Sequence, residues 1–141
     1  MTAPDDGCEV MVPRGPAGAY IRLSGLRRPH GDALVCLVVG AEAPGLSATI
    51  GVETLNGDGL AEYVQSLEEG FRGWQGERTW ASFRRDVEIR AAHLGRSIRL
   101  AWTLRFPEWD ADWTATVEVH VSPGEELKGF AADVTRFLEG S

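Results

Sequence analysis

The chain is poor in the residues that make most small sites. Its 141 residues include two cysteines, two methionines and three histidines. Cys8 falls in a polar leader and Cys36 in an apolar run, so nothing suggests a disulfide framework. Both are expected as free thiols in a cytosolic chain, with a Cys8–Cys36 bridge as the alternative. No close group of His and Cys has zinc-ligand spacing, so neither a metal nor a cofactor is expected. No apolar run approaches the roughly 20 residues that span a bilayer, so no membrane association is expected. The opening "MTAPDDGCEVMVPRG" has no basic region followed by an apolar stretch, and the expected compartment is the cytoplasm.

Positive charge is also short. Fourteen Lys and Arg stand against 21 Asp and Glu, for a net charge of −7. Residues 1–70 carry −6 of it and residues 71–141 only −1. Broad nucleic-acid binding relies on basic patches that displace counterions, and this balance argues against it. An acidic surface suits a basic protein partner, or simply keeps the chain soluble. A glycine-rich phosphate loop, a G-x-S-x-G elbow and an H-E-x-x-H helix are all missing. The length fits one domain with one core.

What is present is alternation. Residues 1–17 are rich in Pro, Gly and Asp and read as a loose leader, with a single domain over 18–141. "AYIRLSGL" at 19–26 alternates as a strand with one wet face. "ALVCLVVG" at 33–40 is apolar throughout and reads as a strand buried on both faces, covered outside by the leader or by a second subunit in a homodimer. "LSATIGVETL" at 46–55 sets Leu46, Ala48, Ile50 and Val52 against Ser47, Thr49, Gly51 and Glu53. From Leu60 to Trp74 the spacing of Leu60, Tyr63, Val64, Leu67, Phe71 and Trp74 traces a helical stripe, with Asp58 as N-cap. Three further alternating strands follow at 86–94, 97–106 and 112–121. Ser122, Pro123 and Glu125 then form a capping-box pattern ahead of a second amphipathic helix. The order βββα-βββα implies an α+β fold: an antiparallel sheet of about six strands with both helices packed on one face.

Two sets of residues stand out as candidate sites. The stretch "GFRGWQGERTWAS" at 70–82 holds Trp74, Trp80, Glu77 and Arg78. It reads as a binding loop with aromatic walls or as a clasp between helix and sheet, and the clasp is the better fit. Trp109, in the turn "PEWDAD", has no periodic reason to be buried and is a candidate interface anchor. The second set is Glu118 and His120, two apart on one strand, with Arg99 or Arg105 beside them. An acid, a base and an arginine on an open sheet face can bind an anion or move a proton, or can simply be cross-strand pairs. Cys36 as a nucleophile would need a base and access, which its apolar neighbours deny.

The strings "GWQGERTWAS", "EIRAAHLGRSIRLAWTLR" and "WTATVEVHVSPGE" resemble a family of small domains of unknown function from high-GC actinomycete-type bacteria. The resemblance spans residues 46–138 and rests on Gly73, Trp74, Gly76, Glu77 and Trp80. It implies a small accessory protein, with immunity or antitoxin-like roles open to it, and brings no catalytic residue. Two functions are expected from different classes. One is a non-enzymatic protein-interaction domain, binding through Trp109, Trp80 and the acids near them. The other is a small-molecule or enzymatic domain with a pocket between sheet and helices near Trp74, Trp80 and Trp102.

Overall fold

Strand alternation builds two sheets, where one was expected. The computed structural model describes residues 9–13, 18–29, 33–106 and 112–139. The first sheet contains β1 (Val10–Val12), β2 (Tyr20–Arg27), β3 (Leu34–Ala43) and β4 (Leu46–Leu55), antiparallel in that order. A 3-10 turn (Asn56–Gly59) leads into α1 (Leu60–Glu69). The second sheet contains β5 (Glu77–Ala81), β6 (Val87–His93), β7 (Ile98–Phe106) and β8 (Trp113–Val121), again antiparallel in order, followed by α2 (Glu125–Glu139).

Among the described residues the order is therefore ββββα-ββββα, with eight strands instead of six. The α+β class holds, but the single sheet does not. The two extra strands are short and lie in segments dominated by breakers. β1 lies within the segment read as a loose leader, yet Val10 and Val12 are buried and pair with Leu23 and Ile21. β5 emerges from "GWQGERTWAS", where Gly73 and Gly76 take positive φ and release the chain into a strand.

One core joins both sheets and both helices. Ile21, Leu23, Leu37, Val39, Ile50 and Val52 from the first sheet meet Ile89, Leu100, Trp102, Leu104, Val117 and Val119 from the second in one cluster. Val64 and Leu67 of α1 and Leu127, Phe130, Val134 and Phe137 of α2 belong to the same cluster. The helices pack on each other, α2 reaches β1, and β4 approaches β7. Within the chain, the strand at 33–40 is buried mainly on one face. Val35, Leu37, Val39 and Ala41 face the core, while Leu34, Val38 and Gly40 on the opposite face are only half-buried. β1 extends the sheet beyond β2 and does not cover that outer face. Cys36, on the outer face between Arg27 and Glu53 in register, is a buried free thiol.

Helix ends depart from expectation in three places. α1 stops at Glu69, so Phe71 leaves the stripe and is 49% exposed. Gly59 occupies the N-cap of α1 with no side-chain cap, because the Asp58 carboxylate is used elsewhere. At α2 the acid that reaches back to Ser122 N–H is Glu126, at 2.7 Å, and Glu125 is not that partner.

Candidate functional site

In the stretch 70–82, Trp74, Glu77, Arg78 and Trp80 each have a partner within the fold. Trp74 Nε1–H donates to the Ala91 carbonyl at 3.1 Å, and its ring meets His93 edge-on at 5.2 Å. The His93 Nδ1 accepts from Gly95 N–H, which leaves Nε2–H to donate to the Phe71 carbonyl at 2.8 Å. The Arg78 guanidinium lies 4.6 Å from the Trp74 ring centroid and donates to the Ser66 carbonyl at 2.9 Å. A cation at the last turn of α1 also complements the helix dipole. Trp80 Nε1–H donates to the Asp58 carbonyl at 2.8 Å. Glu77 turns the other way, onto the outer face of the second sheet, 3.7 Å from Arg90 and 3.8 Å from Arg99. Trp80, Glu77 and Arg78 therefore do not converge on one point. Trp109 lies outside the described residues.

Tyr63 closes the clasp by donating its phenol to the Arg78 carbonyl at 2.8 Å. Burial pushes this phenol well above its ordinary value of 10, Arg78 draws it partly back, and Glu77 adds to the rise. Above pH 10 the unfolded phenol ionises while the folded one does not, so stability present below that pH is lost as pH climbs. Wild-type stability is expected to fall more steeply there than that of Tyr63→Phe, by up to about 1.4 kcal/mol per pH unit. Urea midpoints measured from about pH 9 to about pH 11 test this, and parallel slopes would refute it.

The second candidate set is partly assembled. His120 pairs with Arg99 and Glu118 with Ala101 on the outer face of the second sheet, so Glu118, His120 and Arg99 are neighbours. Arg105 stands apart, opposite Thr114. It donates to Glu88 at 2.7 Å and to the Arg85 carbonyl at 3.2 Å. Glu118 and His120 are exposed and Glu77 already engages Arg99, so this face reads as cross-strand pairing on an open sheet.

A different region gathers more unusual features. A cleft of about 560 Å³ opens beside β4. Arg27, Cys36, Val38 and Gly51 line its first-sheet side, and Arg84, Asp86, Arg105 and Phe106 line the other. Glu53 bridges the two sides through Arg84 at 2.8 Å. At its end lie two exposed apolar side chains, Leu55 at 54% and Phe83 at 48%. Asp58 holds them in place: one carboxylate oxygen accepts from Leu55 N–H at 3.2 Å and the other from Phe83 N–H at 2.9 Å. Asn56, Gly57, Asp58 and Gly59 all have positive φ, as does Arg85. Non-glycine residues rarely adopt that conformation, and such strain concentrates at functional sites. The 82–86 loop is itself rigid, with Ser82 Oγ bonded to Asp86 at 2.6 Å and accepting from Val87 N–H at 3.2 Å. Sequence signals for this region existed. Leu55 sits on the wet face of an otherwise polar alternation, and Phe83 interrupts the polar run "SFRRD".

The space between sheets and helices near Trp80 and Trp102 is only about 10 Å³. That is about the volume of one water probe and leaves no room there for a substrate. Among the described residues, no group of three His, Cys, Asp or Glu side chains is placed to hold a metal ion. No described helix is long and apolar enough to cross a membrane.

Residues 12–141 match the family model DUF6228, a family of unknown function. The chain belongs to this family. The DUF6228 match begins at Val12, well before the residues 46–138 that carried the resemblance, and so takes in the first sheet almost whole. No curated protein matches the chain. A similar solved structure is that of the plant transcriptional regulator PBF-2, at 9% identity and a TM-score of 0.48 over 92% of this chain and 79% of that one. A likeness of that size says nothing of function.

Proposed function

We propose that this DUF6228 protein is a non-enzymatic protein-interaction domain, and that it docks its partner at the β4 end of the first sheet. One observation carries this reading. Leu55, at the end of β4, and Phe83, in the 82–86 loop, are both exposed, and a single carboxylate, that of Asp58 in the strained turn, ties their backbones together. A fold that holds two large apolar side chains in water at this conformational cost has a use for them there. Arginines rim the patch and a cleft adjoins it, which is the composition of an interface: apolar and aromatic anchors, with Arg around them. Among the described residues the cleft lining has no histidine, and its cysteine is buried.

The narrower reading is an immunity or antitoxin-like accessory protein of an actinomycete-type bacterium, acting in the cytoplasm. Small size, acidic charge and the resemblance support it. A net charge of −7 would steer a basic toxin towards the molecule. The test is a quantitative pull-down from native cell extract with mass spectrometry, using wild type and the double variant Leu55→Ser/Phe83→Ser. Both side chains are about half exposed, so the variant is expected to keep the wild-type circular dichroism spectrum and thermal midpoint. A stoichiometric partner recovered by wild type should fall at least about tenfold with the variant, as expected for loss of one or two anchors. Equal recovery by both proteins, or recovery of the bait alone, would overturn the proposal.

A further inference from the structure

The edge of β4 is unusually bare. β3 and β4 pair without interruption from Leu34↔Leu55 to Ala43↔Leu46. Asn56 N–H donates to the Ala33 carbonyl at 2.8 Å, which continues the same register. Hydrogen-bonded and non-hydrogen-bonded pairs alternate along an antiparallel ladder. Asn56, Thr54, Val52 and Ile50 therefore direct their N–H and C=O groups to β3. Leu55, Glu53, Gly51 and Thr49 direct theirs away from it. The Asp58 carboxylate takes the Leu55 N–H. Among the described residues nothing bonds the outward backbone groups of Gly51 and Glu53.

Proteins ordinarily blunt a long edge with lysine, proline, a bulge or a covering segment. β4 has ten residues with no proline, no lysine, no register shift, and a single charge, Glu53, that is already paired with Arg84. The bare edge opens into the cleft, whose lining includes four consecutive residues of β4, Ile50 to Glu53. Gly51 is the second sign. Glycine inside a strand costs about 0.5–1 kcal/mol. Nothing in the fold requires it here, since a Cβ at Gly51 would meet no atom within 4 Å. A strand glycine without a bulge leaves the outer face over the cleft open, so a ligand or another backbone can come close beside the edge.

Resting on the docking face proposed above, we infer that β4 is a strand-acceptor edge. An extended segment of the partner enters the cleft and adds a fifth strand to the first sheet, bonding the N–H and C=O groups of Gly51 and Glu53. The charges along the cleft set the chemistry of that segment. Arg84 and Arg105 stand beyond the edge, held by Glu53 at 2.8 Å and Glu88 at 2.7 Å, with Asp86 beside them, and Arg27 lies on the near side. Among the described residues Arg27 has no ion-pair partner. The cationic group left without a carboxylate is therefore that of Arg27, exposed at the cleft, and the arriving segment is acidic, with a carboxylate on the side chain that faces Arg27. This mode recruits partners through main-chain hydrogen bonds and takes specificity from alternate side chains. The acidity belongs to the docked segment, whatever the charge of the rest of the partner.

The test uses the full chain and a defined probe: a blocked octapeptide alternating valine with glutamate, and its valine–lysine counterpart. Amide hydrogen exchange is followed by NMR. The glutamate peptide is expected to slow exchange at Gly51 and Glu53 at least about tenfold, and to leave Val52 and Thr54, already in the ladder, unchanged. The lysine peptide should bind at least about tenfold more weakly. Gly51→Pro should abolish the protection while the sheet stays intact, because the N–H it removes lies on the free edge, where proline is tolerated. Peptide-induced shifts at Leu55 and Phe83 without protection at Gly51 and Glu53 would overturn strand addition and leave the docking face standing. Protection by both peptides alike would overturn the acidic specificity. Concentration-dependent protection with no peptide, together with a dimer by sedimentation, would give the edge to a second copy of this chain and overturn the inference. A failed pull-down contrast between wild type and the Leu55/Phe83 variant removes the docking face itself.

Discussion

Trp102→Ala is expected to cost about 3–5 kcal/mol, enough to leave a small domain largely unfolded, whereas Trp102→Phe should cost only about 1 kcal/mol. The large figure follows from position. Trp102 is 1% exposed and is the largest fully buried side chain among the described residues, within the cluster that joins both sheets. Its loss opens a cavity that strands from two sheets cannot close together. The small figure follows from a flaw in the same site. The indole Nε1–H is buried without a hydrogen-bond partner. The adjoining void of about 10 Å³ is lined almost wholly by apolar side chains, and a water there would find too few partners. An orphaned buried donor costs roughly 1–3 kcal/mol, so phenylalanine removes a penalty at the same time as it removes packing. Guanidinium unfolding of the three proteins checks this. A Phe variant as damaged as the Ala variant would show that the N–H has a partner in solution.

Trp102 also shows what the sequence could reveal. Its inward face follows from strict alternation along 97–106, and the same argument placed Trp113, Val117, Val119 and Val121 correctly. Period-2 patterns identify a strand and its wet side without identifying its neighbours. The strand pairs joined by tight turns were therefore legible, and the division into two sheets was not. Within the chain, the apolar run at 33–40 has one face buried at Val35, Leu37 and Val39 and the other buried only at Cys36. Leu34 and Val38 are apolar on a face that is only half-buried, with Val38 lining the cleft. β1 and β5 have three and five residues, too few for a period to show among glycines and prolines. The clasp reading of 70–82 rested on Trp74 completing a helical stripe. The helix stops before it, and hydrogen bonds from Trp74, Arg78 and Trp80 make the clasp. The cleft was hidden for a simpler reason. Its walls come from Arg27, Glu53, Arg84 and Arg105, which are distant in sequence and meet only when one sheet is laid against the other.

Asp58→Ala should cost about 2–3 kcal/mol and cut partner binding by more than that loss of stability explains. Three roles converge on this residue. Its carboxylate accepts from two backbone N–H groups, of Leu55 and Phe83, and its carbonyl accepts from Trp80. Bonds to an ionised acceptor contribute more than neutral ones, though partial exposure here reduces the gain. Its φ of 52° is one that Asp tolerates and that alanine adopts at a penalty of roughly 1 kcal/mol or more. Asp58→Asn keeps the backbone preference and one acceptor oxygen, but turns an NH₂ group towards a second N–H. Asp58→Gly removes the strain and both side-chain bonds. The expected order of stability is Asp, then Asn, with Gly and Ala lowest. In Asp58→Asn the Phe83 amide should lose its hydrogen-bonded NMR shift and its loop should become mobile while the core amides stay protected. The two apolar anchors would then point in many directions, and binding would fall through lost preorganisation in a protein that is still folded. Urea midpoints, the Phe83 amide resonance and pull-down yield measure the three effects separately. If Asp58→Asn keeps wild-type capture after its Phe83 amide has been freed, the locked turn is a device of the fold alone and the docking surface lies elsewhere.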